Sequence, residues 1–126
     1  MLMIETKDLD SSAPFLAQLQ GPDDGQPVTL VNTFLAPEGR TEKVIDVWRQ
    51  DSLIMKTQPG FVSAQLYQGL GDSRLLTNVA VWESLSQLRD AFLTAEFQST
   101  LTLYPDGSIS HPVVMRTLAV PGVCVA

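Results

Sequence analysis

The stretch LLTNVAVWES, residues 75–84, alternates in a way that decides the fold. Side chains alternate across a β-strand, so Leu76, Asn78, Ala80 and Trp82 share one face while Leu75, Thr77, Val79 and Val81 share the other. Both faces are apolar enough to be buried, which places this strand inside a covered sheet. One residue breaks the pattern: the amide of Asn78 sits in the apolar run, four residues before a tryptophan on the same face. A buried amide without a partner costs about 1–3 kcal/mol, so Asn78 must find partners or serve a ligand.

The 126 residues make one domain, long enough for a full hydrophobic core. Fourteen acidic against eight basic residues give a formal charge of -6, which leaves no basic footprint for a phosphate backbone. Nucleic acid is therefore not an expected partner. The single cysteine, Cys124, excludes a disulfide framework and a cysteine-rich metal site and suits a cytoplasmic protein. MLMIETKDLD lacks the basic start and apolar run of a secretory signal, and no window approaches the roughly 18 apolar residues of a membrane span. A soluble protein with no membrane association is expected.

Outward from the quoted strand, residues 1–27 are rich in Asp, Ser, Pro and Gly and read as a flexible or loosely docked arm. The folded domain is expected over 28–126. VTLVNTFL, residues 28–35, is a strong strand, and APEG after it is a turn. Between Arg40 and Thr57 the apolar positions Val44, Val47, Trp48, Ile54 and Met55 fall at helical spacing, predicting an amphipathic helix. Pro59 and Gly60 stop it, FVSAQLYQG (61–69) alternates as a strand, and Gly69, Gly71 and Asp72 turn the chain into 75–84. Ser84 with Gln87 forms a capping box for a second helix with Leu85, Leu88, Ala91, Phe92 and Ala95 on its buried stripe, extended by a helical piece near residues 97–101. YPDGS (104–108) is a turn, and HPVVMRTLAV (111–120) is the last strand.

The order βαββαβ is the ferredoxin-like α+β arrangement, with both helices on one face of a four-stranded antiparallel sheet. Apolar residues lie on both parities of the strands: Leu30, Phe34, Ala80 and Trp82 on one, Val31, Leu35, Val79 and Val81 on the other. The face that the helices leave bare needs a second cover, and the same sheet of another copy supplies it. A homodimer is expected.

The chain has no nucleophile elbow, no phosphate loop after a strand, no HExxH and one histidine. Its candidate chemistry lies instead in residues that interrupt apolar strands: Asn32, Asn78 and Trp82. Asn78 and Trp82 lie about 13 Å apart at roughly 3.3 Å per residue, a span that suits a flat, multi-ring ligand. Two amides and an indole can hold a carbonyl or phenolate oxygen within an apolar cleft. Each also has a bland account, as core tryptophan or satisfied structural amide; their coincidence on neighbouring strands favours a site. Phe34, Leu88 and Phe92 are the expected apolar contacts, and Tyr67 at the end of its strand is placed within reach of the cleft. Arg40, Arg89, Arg116, His111 and Cys124 read as surface residues.

LVNTF (30–34), PGFVSAQLYQ (59–68) and TNVAVWES (77–84) make the chain similar, over about 28–120, to the antibiotic biosynthesis monooxygenase superfamily of dimeric α+β barrels. Within it the sequence resembles the cofactor-independent oxygenases that convert anthrones to quinones in aromatic polyketide pathways. That resemblance implies O2 and a small aromatic substrate, no cofactor or metal, and catalytic roles for Asn78, Trp82 and Asn32. A histidine found on the second strand of one such enzyme type is Tyr67 here, so the proton carrier is unassigned. Haem-degrading members share an Asn at position 32, but their Trp and axial His fall on Ala91 and about Leu101, and haem is not expected. A non-catalytic barrel that binds an apolar aromatic, or a general quinol oxidase in stress defence, is the alternative that the same residues leave open.

Overall fold

The protein is described by a computed structural model covering residues 4–126. Residues 75–82 form a strand with antiparallel neighbours on both sides, and the other elements assemble around it. In chain order these are β1 (Glu5–Thr6), α1 (Phe15–Leu19), β2 (Val28–Leu35), α2 (Thr41–Met55), β3 (Phe61–Gln68), β4 (Leu75–Trp82), α3 (Leu85–Phe92), α4 (Ala95–Thr100) and β5 (Ile109–Met115). The sheet order is β1-β5-β2-β4-β3.

From β2 onward the chain has the ferredoxin-like α+β order, but the sheet is five-stranded and mixed rather than four-stranded and antiparallel. The difference is β1, which runs parallel to β5 with Glu5 opposite Ile109 and Thr6 opposite Ser110. A bare β5 would present a row of unpaired N–H and C=O groups. Lys7 N donates to Ser110 O at 2.9 Å and Glu5 N to Ser108 O at 3.3 Å, which covers part of that edge.

The segment expected as a flexible or loosely docked arm carries buried side chains among the residues described. Phe15 and Leu19 of α1 are 4% and 1% exposed and join the core beside Trp82 and Leu88. Three polar contacts fix the segment: Phe15 N donates to Asp8 at 2.8 Å, Gln18 exchanges hydrogen bonds with the backbone of Val114, and Arg89 donates to Leu19 O at 3.1 Å. The composition of 1–27 hides two well-placed apolar anchors in a polar background.

Two other boundaries differ from expectation. The last strand is Ile109–Met115, not 111–120, because β2 offers partners from Leu35 opposite Ile109 to Thr29 opposite Met115 and then ends. The second helix is two helices, since Thr94 leaves helical geometry and caps α4 by accepting a hydrogen bond from Phe97 N at 3.3 Å. The capping box forms as expected, with Ser84 accepting from Gln87 N at 3.3 Å. Gly60 is required beside it: φ is +88°, and a Cβ there would fall 2.6 Å from the Gln87 Cβ.

The register places the even-numbered residues of β2 and β4 under the helices, where Phe34, Leu76, Ala80 and Trp82 are buried. Their odd-numbered neighbours form the opposite face, on which Val31 faces Val79 and Val113, and Thr33 hydrogen-bonds Thr77 at 3.1 Å. Among the described residues no helix is long and apolar enough to cross a membrane.

Docking of α1 has a direct consequence for stability. Leu19→Ala should lower unfolding free energy by about 2–5 kcal/mol, the cost of a large-to-small change in a core, whereas Leu9→Ala at a position 70% exposed should change it by under about 0.5 kcal/mol. Urea denaturation of the two variants measures this, and equal, small effects would return the segment to a loose arm.

Candidate active site

Between the even-numbered sheet face and the helices lies a cavity of about 330 Å³, within the range typical of small-molecule sites. β2 contributes Asn32 and Phe34 to its floor, β4 contributes Asn78 and Trp82, and α2 contributes Trp48 and Asp51 from above. The N-terminal segment and α1 close one side through Ile4, Thr6 and Phe15, and Phe92, Phe97 and Tyr104 line the rest.

Asn32 and Asn78 are direct cross-strand partners, so their Cβ atoms stand about 4.5–5.5 Å apart. Both amide oxygens are buried with no hydrogen-bond partner among the described residues. Trp82 lies on the same face, 1% exposed, with its ring edge-on to Phe61 at 5.5 Å. The three residues singled out by interrupted apolar alternation thus line one cavity, and two of them hold acceptors that no described residue satisfies. Of the expected apolar contacts, Phe34 and Phe92 line the same cavity, and Phe34 stacks on Tyr104 at 5.8 Å.

Tyr67 and Leu88 do not. Tyr67 is 58% exposed on the opposite sheet face, paired with Thr77, because a β-bulge at Val62 shifts the alternation of β3. Phe61 faces the cavity opposite Trp82, yet after the bulge Ala64 and Leu66, not Ser63 and Tyr67, fall on the helix side. Leu88 is wholly buried in the cluster of Trp82, Leu85 and Ala91, and Phe92, one turn later, is the α3 residue that reaches the cavity.

Three site residues escaped sequence reasoning. Trp48 was assigned to the packing face of its helix, but it lines the cavity and its indole Nε1 is buried without a partner. Asp51 is 7% exposed and Tyr104 is 6% exposed, and the Tyr104 hydroxyl donates to Asp51 Oδ2 at 2.5 Å. Ser52 Oγ donates to Asp51 Oδ1 at 3.2 Å. The signal for Asp51 was present: it sits on the buried stripe of α2 with Val44, Val47 and Met55, the one charged residue at an apolar position.

Asp51 and Tyr104 are the titratable side chains of the cavity among the described residues. Burial pushes the Asp51 carboxyl up to about 7, against the opposing hydrogen bonds from Tyr104 and Ser52. Burial, reinforced by the carboxylate, also pushes the Tyr104 phenol far above its ordinary value. No three His, Cys, Asp or Glu side chains meet as metal ligands among the described residues.

The raised carboxyl links stability to pH. The folded state holds the Asp51 proton to higher pH than the unfolded chain, so the stabilisation present below about pH 4 is lost as pH rises toward 7. Asp51→Asn removes that loss while preserving shape. Its melting temperature should gain on the wild type by roughly 5 °C or more between pH 4.5 and pH 8. A difference independent of pH would show that the carboxyl titrates normally.

Residues 27–102 match the antibiotic biosynthesis monooxygenase family. A candidate monooxygenase from Shewanella loihica PV-4 is 30% identical, with 79% of this chain covering 100% of that one at a TM-score of 0.65. SnoaB, a cofactor-independent oxygenase from Streptomyces nogalater, shares the fold at 24% identity and a TM-score of 0.69, covering 77% of this chain and 98% of its own. A candidate antibiotic biosynthesis monooxygenase from Bordetella bronchiseptica shares it at 15% identity and a TM-score of 0.64, with 75% and 99% covered. No curated protein matches the sequence. With more than half of the chain matched, this protein belongs to the antibiotic biosynthesis monooxygenase family.

Proposed function

We propose that this chain is a cofactor-independent monooxygenase that oxidises a polycyclic anthrone- or hydroquinone-like substrate to a quinone with O2. The observation that carries this is the pair of adjacent, buried and unpartnered amide oxygens of Asn32 and Asn78 on the floor of an otherwise aromatic and aliphatic cavity. Apolar walls select a flat hydrocarbon skeleton, and an amide offers both an acceptor and two donors to the oxygens on its rim.

Triplet O2 reacts slowly with closed-shell molecules, so without metal or flavin the substrate must be the reductant. An anthrone has an acidic C–H between two rings. Loss of that proton leaves a carbanion delocalised onto the ring oxygen, which passes one electron to O2. The two radicals join as a hydroperoxide, and loss of water with the second C–H proton leaves the quinone carbonyl. Asn78, Trp82 and Asn32, with the Trp48 indole N–H from α2, hydrogen-bond the oxygen on which charge develops and lower the cost of deprotonation in a water-poor site.

The opposite sheet face, with Val31, Val79, Val81 and Val113 at its centre, is the surface on which a second copy would close the dimeric barrel. The lone, exposed Cys124 suits a cytoplasmic setting.

Asn78→Ala should reduce O2 consumption with dithranol, a 1,8-dihydroxyanthrone, by about 10²–10³-fold, the usual cost of one donor at a developing oxyanion. Its fold should be retained, since the amide oxygen has no protein partner to lose. Wild-type turnover in this variant, followed in an oxygen electrode, would remove the Asn78 amide from the chemistry. Static light scattering should give twice the chain mass, and a monomer at micromolar concentration would rule out the barrel.

A further inference from the structure

The oxygenase mechanism leaves open where the substrate proton goes. Among the described residues no His, Lys or Glu lines the cavity, and Tyr67 lies on the other sheet face. His111 lies on that other face too, opposite Thr33, with Nδ1 3.0 Å from Lys7 O.

One carboxylate lines the cavity among the described residues. Asp51 projects from α2 into the cavity that holds Asn32 and Asn78, one helical turn beyond Trp48. Its two oxygens have one donor each, Tyr104 Oη at 2.5 Å and Ser52 Oγ at 3.2 Å. A carboxylate oxygen has capacity for a further hydrogen bond, so each can receive a proton without giving up its present partner. Tyr104 is in turn fixed by stacking on Phe34, which holds the dyad against the floor.

We propose that Asp51 is the proton acceptor of this site and that Tyr104 is the residue that positions it. The proposal rests on the oxygenase reading. In the first step the substrate C–H bond breaks, its proton goes to a carboxylate oxygen of Asp51, and the electron pair stays on the substrate, delocalised onto the ring oxygen held by the amides. After O2 has taken one electron and the radicals have joined, the Asp51 carboxyl returns the same proton to the peroxide anion. The carboxylate is thereby regenerated, and water and the quinone are the products.

Burial supports the assignment by tuning the base. With its carboxyl raised to about 7, Asp51 is a far stronger base than an exposed aspartate and is still ionised in an appreciable fraction near neutrality. Tyr104 acts in the opposite sense, since its hydrogen bond stabilises the carboxylate. Neither the sheet, nor the N-terminal segment, nor α4 brings another charged side chain to the cavity wall among the described residues, so Tyr104 is the one titratable group that faces Asp51.

The test is kcat for O2 consumption with dithranol from pH 5 to 9, with the uncatalysed rate subtracted. The wild type should lose activity below an apparent pKa near 7. Asp51→Asn should lower kcat by about 10²–10⁴-fold and abolish that acid limb. Tyr104→Phe should keep measurable turnover but move the limb to higher pH, a displacement that loss of packing alone does not produce and that stands even where Asp51→Asn is poorly folded. Wild-type kcat in Asp51→Asn, or an unmoved limb in Tyr104→Phe, overturns the proposal while the oxygenase assignment stands. A wild-type protein that consumes no O2 above background overturns the oxygenase assignment and this proposal with it.

Discussion

Polar atoms that the protein buries but does not satisfy govern this structure. Asn32 Oδ1, Asn78 Oδ1 and Trp48 Nε1 have no partner among the described residues, and all three residues line one cavity. Each such atom costs about 1–3 kcal/mol, which is large against the stability of a small domain. A valine at either strand position would fill the floor without that cost. The arrangement makes physical sense when a ligand with both donors and acceptors on a flat apolar skeleton completes it.

The rest of the fold shapes that cavity. The pairing of β2 with β4 sets the two amides side by side, and a slip of one residue in either strand would turn that strand's amide to the opposite face. Helix α2 spans the cavity and carries Trp48 and Asp51 one turn apart, while α1 and the segment before it close a flank that a four-stranded sheet with two helices would leave open. Burial has a second effect, because it destabilises charge on Asp51 and raises its carboxyl to about 7, near neutral pH.

Much of this was legible in the sequence. Alternation in LLTNVAVWES gave the face shared by Asn78 and Trp82, and the same parity in VTLVNTFL brought Asn32 to it. The helices and the ferredoxin-like order followed from spacing and caps. What stayed hidden has physical causes. The bulge at Val62 reverses the side on which Tyr67 lies, and no residue type announces a bulge there. Leu88 and Phe92 share one helical stripe, and only the tertiary packing decides which of them meets the cavity. The fifth strand spans two residues, Glu5 and Thr6, too few to carry a periodic signal. Asp51, by contrast, could have been found as a charge on the buried stripe of α2, whereas its partner Tyr104 comes from 53 residues away and is joined to it by the fold alone.

The most direct test is a crystal structure of the protein with 1,8-dihydroxyanthraquinone, a stable analogue of the oxidised product. The ring system should lie between the sheet and α2, with its oxygens within about 3.2 Å of the Asn32 and Asn78 amides. A ligand bound elsewhere, or amides that turn to pair with the backbone while the cavity stays empty, would contradict the account.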